Sequence, residues 1–206
     1  MLKIYGFNSQ NNKKVLYVAE ELKLPYQFKN VNLMKRENKT EEFLSMNPIG
    51  KVPVIEHNGK YLFESDAICR YLADTKDSPL LPSDKFQRAQ VEQWMGFFSN
   101  HLGHWLNSLF FEKVIKKNFK IGEPDEKVCE EANKFSLIQL KILEKEMAKR
   151  KYIASDNLSI ADLCAYAYLE QMDELQMSFD LLPNIKKWKV EVARRDSITQ
   201  GQKHFS

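Results

Sequence analysis

The sequence predicts an α/β first domain with a mixed sheet, in the order βαβ–ββα, followed by an all-α helical bundle. Three observations predict it. Residues 2–31 pass from alternation to helical periodicity and back to a strand pattern. Two short runs, Val54–His57 and Tyr61–Phe63, flank Asn58-Gly59, a strong hairpin signal. After Pro82 every periodic stretch is helical.

Leu2, Ile4 and Gly6 alternate with Lys3, Tyr5 and Phe7, which gives the first strand. A polar loop, Asn8 to Asn12, precedes Val15, Leu16, Val18, Ala19 and Leu22 at helical spacing, with Asn11 or Asn12 as the expected cap. Pro25 closes a turn, and Tyr26–Val31 reads as a second strand, parallel to the first because a helix crosses between them. Lys35–Lys39 is a charged segment expected to be mobile. The hairpin leads into a helix from about Ser65 to Thr75, with Ile68, Tyr71 and Leu72 facing inward. This order is that of a thioredoxin-like domain, 1–77. Prolines and turn residues make 78–84 a linker, and 85–206 the helical domain. Its first helix runs from Asp84 or Lys85 to about Glu112 and carries Phe86, Val91, Trp94, Phe97, Phe98, Leu102, Trp105, Leu106 and Leu109. A second runs from about Asp125 to Arg150 with Val128, Ala132, Phe135, Leu140 and Leu143. Ser159 with Asp162 resembles a capping box that opens a third, and Pro183 starts the last.

At 206 residues the chain is long enough to bury a sizeable core. A net charge of +3 is too balanced to argue for nucleic acid. No apolar run approaches the roughly 20 residues of a membrane span, and a strand pattern at Met1–Tyr5 leaves no room for a signal peptide. Cys69, Cys129 and Cys164 are far apart and form no C-x-x-C, so buried thiols in a reducing cytoplasm are expected, not disulfides or zinc.

The chemistry gathers around Asn47-Pro48-Ile49-Gly50-Lys51-Val52-Pro53-Val54-Ile55 and Phe63-Glu64-Ser65-Asp66-Ala67-Ile68. Proline is tolerated at a strand start and is almost alone in adopting a cis bond. A cis Val52–Pro53 bond would turn the backbone of Val52 outward, as a one-residue edge for an extended peptide. Glu64-Ser65 stands before a helix, whose free N–H groups and partial positive charge suit a carboxylate. The pair describes a pocket for a short acidic peptide.

Asn-Pro-x-Gly-x-Val-Pro, strand, hairpin, strand, then Glu-Ser-x-Ala-Ile resembles the N-terminal half of the cytosolic glutathione transferases, and the resemblance runs from Leu2 to roughly the last helix. The loop resembles that of the bacterial, theta/nu-like serine/asparagine type. The resemblance implies glutathione as co-substrate, no metal, a hydrophobic electrophile as second substrate, a homodimer, and neither nucleic-acid nor membrane partners. Glutathione's thiol has a pKa of about 8.5, so an enzyme that uses it must favour the thiolate. A hydrogen-bond donor aimed at sulfur and a helix N-terminus suffice. Ser9 is the first choice of donor and Asn11 the rival; the plain alternative for Ser9 is a loop serine or helix cap. Tyr5 lies inside the strand and is a poor candidate. Ser65 should take the γ-glutamyl carboxylate, Glu64 the γ-glutamyl ammonium, Val52 the peptide backbone, and Lys51 either the glycine carboxylate or solvent. Phe97, Phe98, His101 and Trp105 are candidates for the wall of the co-substrate pocket, although such a stripe is more often core. His101 and His104, three apart, lack a carboxylate or cysteine pattern for metal. The resemblance implies thiolate attack on an electrophile. The alternatives are glutathione-dependent reduction of disulfides or peroxides, or a non-catalytic binding module with the same fold.

Overall fold

The structure, a computed structural model, describes residues 1–205. By its internal contacts the chain divides into Met1–Leu81 with Arg194–Ser206, and Pro82–Ala193. One break lies between Leu81 and Pro82, within 78–84; the other groups Arg194 onward with the first unit, where the sequence suggests the helical domain.

In the first unit, β1 (Leu2–Gly6), α1 (Gln10–Glu21), β2 (Tyr26–Asn30), α2 (Glu41–Met46), β3 (Val54–His57), β4 (Lys60–Phe63) and α3 (Ser65–Thr75) follow in order. The sheet order is β2-β1-β3-β4. β1 pairs parallel with β2, Ile4 opposite Phe28, and antiparallel with β3, Ile4 opposite Ile55. The parallel pair follows from the α1 crossover and the antiparallel pair β3–β4 from the hairpin. Asn58 and Gly59 both have positive φ, 53° and 75°, as a tight hairpin turn of this hand requires. Leu2, Ile4 and Ile55 are buried, as are Val15, Leu16, Val18 and Ala19 of α1 and Ile68 and Leu72 of α3, whereas Val54, opposite Tyr5, buries with Val31, Phe43 and Met46. Tyr71 is 37% exposed rather than inward, with its hydroxyl 2.7 Å from Nδ1 of His57.

The end of the chain, α11 (Asp196–Gln202), packs on α1. Gly201 permits this approach, since a Cβ there would lie 2.7 Å from the Tyr17 ring. Glu21 closes the contact by accepting from Arg195 Nε at 2.9 Å and Ser197 Oγ at 2.6 Å. Burial pushes the Glu21 carboxyl up, but Arg195 and Ser197 outweigh it and hold the carboxyl below its ordinary range.

In the second unit, α4 (Lys85–Phe97), α5 (Gly103–Phe110) and α6 (Lys116–Phe119) form one helical run, with π-helical turns at Phe98–Leu102 and Phe111–Ile115. The sequence reading ended this run near Glu112 and gave no π turns. Phe98, Leu102 and Leu106 are fully buried at spacings of four, longer than the 3.6-residue period, and the first π turn absorbs the drift. Phe86, expected inside, is 73% exposed. α7 (Glu126–Met147) is capped by Asp125, whose carboxylate accepts from Val128 N. Its buried stripe is Cys129, Ala132, Ser136, Leu140, Leu143 and Met147. Val128, expected inside, is 37% exposed, because the stripe starts one residue later. α8 (Ile160–Leu169) is buried throughout, followed by the short α9 (Gln171–Glu174) and by α10 (Pro183–Ala193). Asp162, fully buried, accepts from Ser159 N and Oγ, Ile153 N and Trp188 Nε1, all at 2.8 to 2.9 Å. It therefore ties the start of α8 to the preceding loop and to α10. All three cysteines are free and buried. Among the described residues no helix is long and apolar enough to cross a membrane.

Candidate active site

The site residues of the first unit come from three short segments. The first is the turn between β1 and α1. Ser9, not Asn11 or Asn12, is the N-cap: its φ and ψ are −151° and 153°, and its Oγ accepts from Asn12 N at 3.4 Å. Extended geometry at this position lets the Ser9 carbonyl accept from Asn12 and Lys13, both at 3.0 Å. A hydroxyl that accepts at a cap still has its own proton to donate. Capping and donation to sulfur are therefore compatible in Ser9.

The second segment is the start of α3. Glu64 has φ 69° and ψ 108°, a conformation that costs a non-glycine residue about 1–3 kcal/mol. It turns the chain sharply from β4 into the helix. Its side chain makes no capping hydrogen bond, whereas α1, α2, α4 and α7 are capped by Ser9, Thr40, Asp84 and Asp125. The start of α3 is thus left without a side-chain acceptor and suits an anion. Ser65 Oγ donates to Asn11 Oδ1 at 3.2 Å. That bond joins the α1 and α3 starts and brings Asn11 and Ser65 into contact. The Asn11 amide nitrogen remains a donor in kind.

The third segment is the turn before β3. Asn47, 2% exposed, organises it: its Nδ2 donates to Lys51 O at 2.7 Å and its Oδ1 accepts from Ile49 N at 3.1 Å. The Val52–Pro53 peptide is cis. Val52 is half-buried against Val31, Phe43, Met46 and Val54, and the Lys51 side chain is exposed. Lys35–Lys39, expected to be mobile, instead holds this turn from outside. Its last residues form a 3₁₀ turn, Glu37–Lys39, with Asn38 Nδ2 on Gly50 O at 2.7 Å and Lys39 Nζ on Ile49 O at 3.2 Å. The sequence reading gave neither Asn47 nor Lys39 a role. An Asn two residues ahead of the N–H it can cap was the available signal for Asn47; nothing local marked Lys39.

The four aromatic candidates lie in the second unit. Phe98 has no exposed surface, and its ring lies 5.9 Å from that of Tyr168. Trp105 stacks on Phe135 at 4.7 Å and packs against Leu109, Cys129 and Ala132. Phe97 is half-buried and His101 exposed, their rings 6.0 Å apart.

The model of the Glutathione S-transferase N-terminal domain matches residues 1–74, and that of the C-terminal domain matches 94–196. The chain belongs to the glutathione S-transferase family. It is 33% identical over 195 residues to glutathione S-transferase hmp2 of Hypomyces subiculosus, covering 91% of each chain. It is 31% identical over 200 residues to the probable glutathione S-transferase GSTF2 of Oryza sativa subsp. japonica, covering 95% of this chain and 93% of the relative. Among solved structures it is similar to a glutathione S-transferase-I bound with lactoylglutathione, at a TM-score of 0.90 and 30% identity over 97% of both chains. A glutathione S-transferase from Pseudomonas fluorescens Pf-5 matches at 0.84 and 32%, over 95% and 96%. These relatives support enzymatic glutathione transfer. They include plant F-type and fungal proteins, so they support the family without selecting the narrower theta/nu-like type.

In this transferase Tyr5 is already engaged. Its hydroxyl donates to Glu56 Oε2 at 3.0 Å, beside the Lys3 ammonium on the same carboxylate. Burial and then the hydrogen bond to Glu56 push the phenol up to about 12. It is neutral at physiological pH with its proton committed to Glu56. Tyr5→Phe is expected to leave the thiol pKa of bound glutathione in place and to remove a phenol that titrates near 12 in an ultraviolet pH titration. A rise in the thiol pKa would place Tyr5 at the sulfur.

Proposed function

We propose that the enzyme binds glutathione along the first unit and activates its thiol for attack on a hydrophobic electrophile. The γ-glutamyl carboxylate is held at the start of α3 by Ser65 and the free N–H groups, and the γ-glutamyl ammonium by Glu64. The cysteinyl backbone runs along Val52, with Lys51 towards the glycine carboxylate. The sulfur lies at the start of α1, where the Ser9 hydroxyl donates to it and Asn11 assists. In the second unit Phe97, His101 and Trp105 keep exposed surface and are the candidates for contact with the electrophile.

The observation that carries the reading is the Ser65–Asn11 hydrogen bond. It brings a residue proposed for the carboxylate next to one proposed for the sulfur, which supports a single small peptide as ligand. The lactoylglutathione named with the structural relative supports the same ligand class. The Ser9-x-Asn11 loop supports the serine/asparagine type of sulfur site. Family habit supports a homodimer working in the cytoplasm without a metal.

The chain is expected to be retained on immobilised glutathione, to elute with free glutathione, and to conjugate a generic aromatic halide. Retention with reduction of a small mixed disulfide, and no halide turnover, would replace conjugation by disulfide reduction. Failure to be retained and to turn over either substrate would end the enzymatic reading.

A further inference from the structure

Lys14 is one of the most deeply buried large side chains in the protein, 1% exposed, on the second turn of α1. An interior ammonium costs several kcal/mol unless it is paired and hydrogen-bonded. Its Nζ lies 3.1 Å from Asp66 Oδ1 and 3.4 Å from Ser65 Oγ. Ser65 Oγ in turn donates to Asn11 Oδ1. A continuous polar chain therefore runs Asp66–Lys14–Ser65–Asn11.

The location is unusual for a cation. Residues 65 and 66 open α3, and residue 14 lies near the start of α1. Helix starts carry partial positive charge and favour anions. Two such starts and an ammonium gather here, and Asp66 offsets one charge. Glu64 adds a second carboxylate at the same helix start, so the Lys14 ammonium is set among acids, next to the hydroxyl and N–H groups proposed to take the ligand carboxylate.

We infer that Lys14 is a positioning residue for the γ-glutamyl carboxylate. Its ammonium donates to Ser65 Oγ from the interior side and so keeps the one Ser65 proton on the far side, where it lies on Asn11 Oδ1 and can pass to a bound carboxylate. It also screens Asp66, whose charge would otherwise repel an incoming carboxylate. Because Lys14 and Ser9 stand on the same helix, occupation of the carboxylate end also bears on the alignment of the sulfur end. This inference rests on the proposed glutathione site.

The test compares glutathione with an analogue in which the α-carboxylate of the γ-glutamyl residue is a primary amide. Wild type, Lys14→Met, Lys14→Arg and the double variant Lys14→Met/Asp66→Asn are measured with both. The double variant removes both buried charges, so it keeps the experiment decisive if Lys14→Met alone does not fold. Loss of one charge-assisted hydrogen bond predicts that the ratio of kcat/KM for glutathione to that for the amide falls roughly tenfold to a hundredfold. The fall should come mainly through KM for glutathione, should appear in the double variant, and should be partly restored in Lys14→Arg. A purely structural lysine would lower the melting temperature and leave the ratio unchanged; an unchanged ratio in the double variant overturns the inference. If wild type itself neither binds glutathione nor distinguishes it from the amide, the glutathione site is at fault, and the inference falls with it.

Discussion

Asp162→Ala is expected to lower stability by at least about 4 kcal/mol, a large part of the roughly 5–15 kcal/mol typical of a folded domain. The residue is fully buried, and Ser159 N, Ser159 Oγ, Ile153 N and Trp188 Nε1 all donate to it. Each buried donor left without a partner costs about 1–3 kcal/mol, and water entering the void recovers part of that. Burial pushes this carboxyl's pKa up, and the four donors oppose that push. Asp162→Asn should also be costly, since its amide N–H groups would face donors where an acceptor oxygen stood. The check is the denaturant midpoint and slope of purified protein. A loss under about 1 kcal/mol would mean that the four bonds are dispensable, contrary to their geometry. Retention on glutathione by whatever fraction folds should be unaffected, because Asp162 lies outside the first unit.

Ser9→Ala is expected to raise the apparent thiol pKa of bound glutathione by about 1–2 units. One charge-assisted hydrogen bond contributes about 1.5–3 kcal/mol, and one pKa unit is about 1.4 kcal/mol. The sign follows from what is lost: removing a donor to the thiolate favours the protonated thiol. Near neutral pH the conjugation rate should fall roughly tenfold or more. At pH values above both thiol pKa values the gap should close. Ser9 is also the cap of α1, so the variant loses about 1 kcal/mol of stability as well. Ser9→Asp separates the two roles. An ionised carboxylate caps as well as serine does but has no proton to donate, so stability should hold while the thiol pKa still rises. Thiolate absorbance of the binary complex against pH reads the shift. An unmoved pKa in Ser9→Ala would transfer the role to Asn11.

These two residues show what was legible in the sequence. The Ser159-x-x-Asp162 spacing declared a helix start, and both arms of that box are present. The two further donors, Ile153 N and Trp188 Nε1, arrive from a loop and from another helix, and no spacing announces them. Ser9 was legible as a polar residue in the loop after β1. Its identity as the cap depends on an extended backbone at that one position, which the neighbouring asparagines could equally have supplied. Lys35–Lys39 reads as a solvated charged run, and its exposure agrees, but the run shows nothing of its contacts. Its order comes from bonds to Ile49 and Gly50, about a dozen residues on.

The sequence by itself determined the strand and helix order, the hairpin, the change from α/β to all-α at the prolines, and the segments from which the proposed site is drawn. Each of these rests on a period, a turn dipeptide or a cap that acts within a few residues. Only the tertiary structure decided that Lys14 meets Ser65 and Asp66, that Phe98 is core, that the π turns keep a four-residue spacing buried, and that α11 returns to α1. The physical reason is that burial and charge pairing depend on which surfaces meet after folding. An ammonium, a phenyl ring or a glycine has the same local propensity whether its neighbour in space is water or a helix from the far end of the chain.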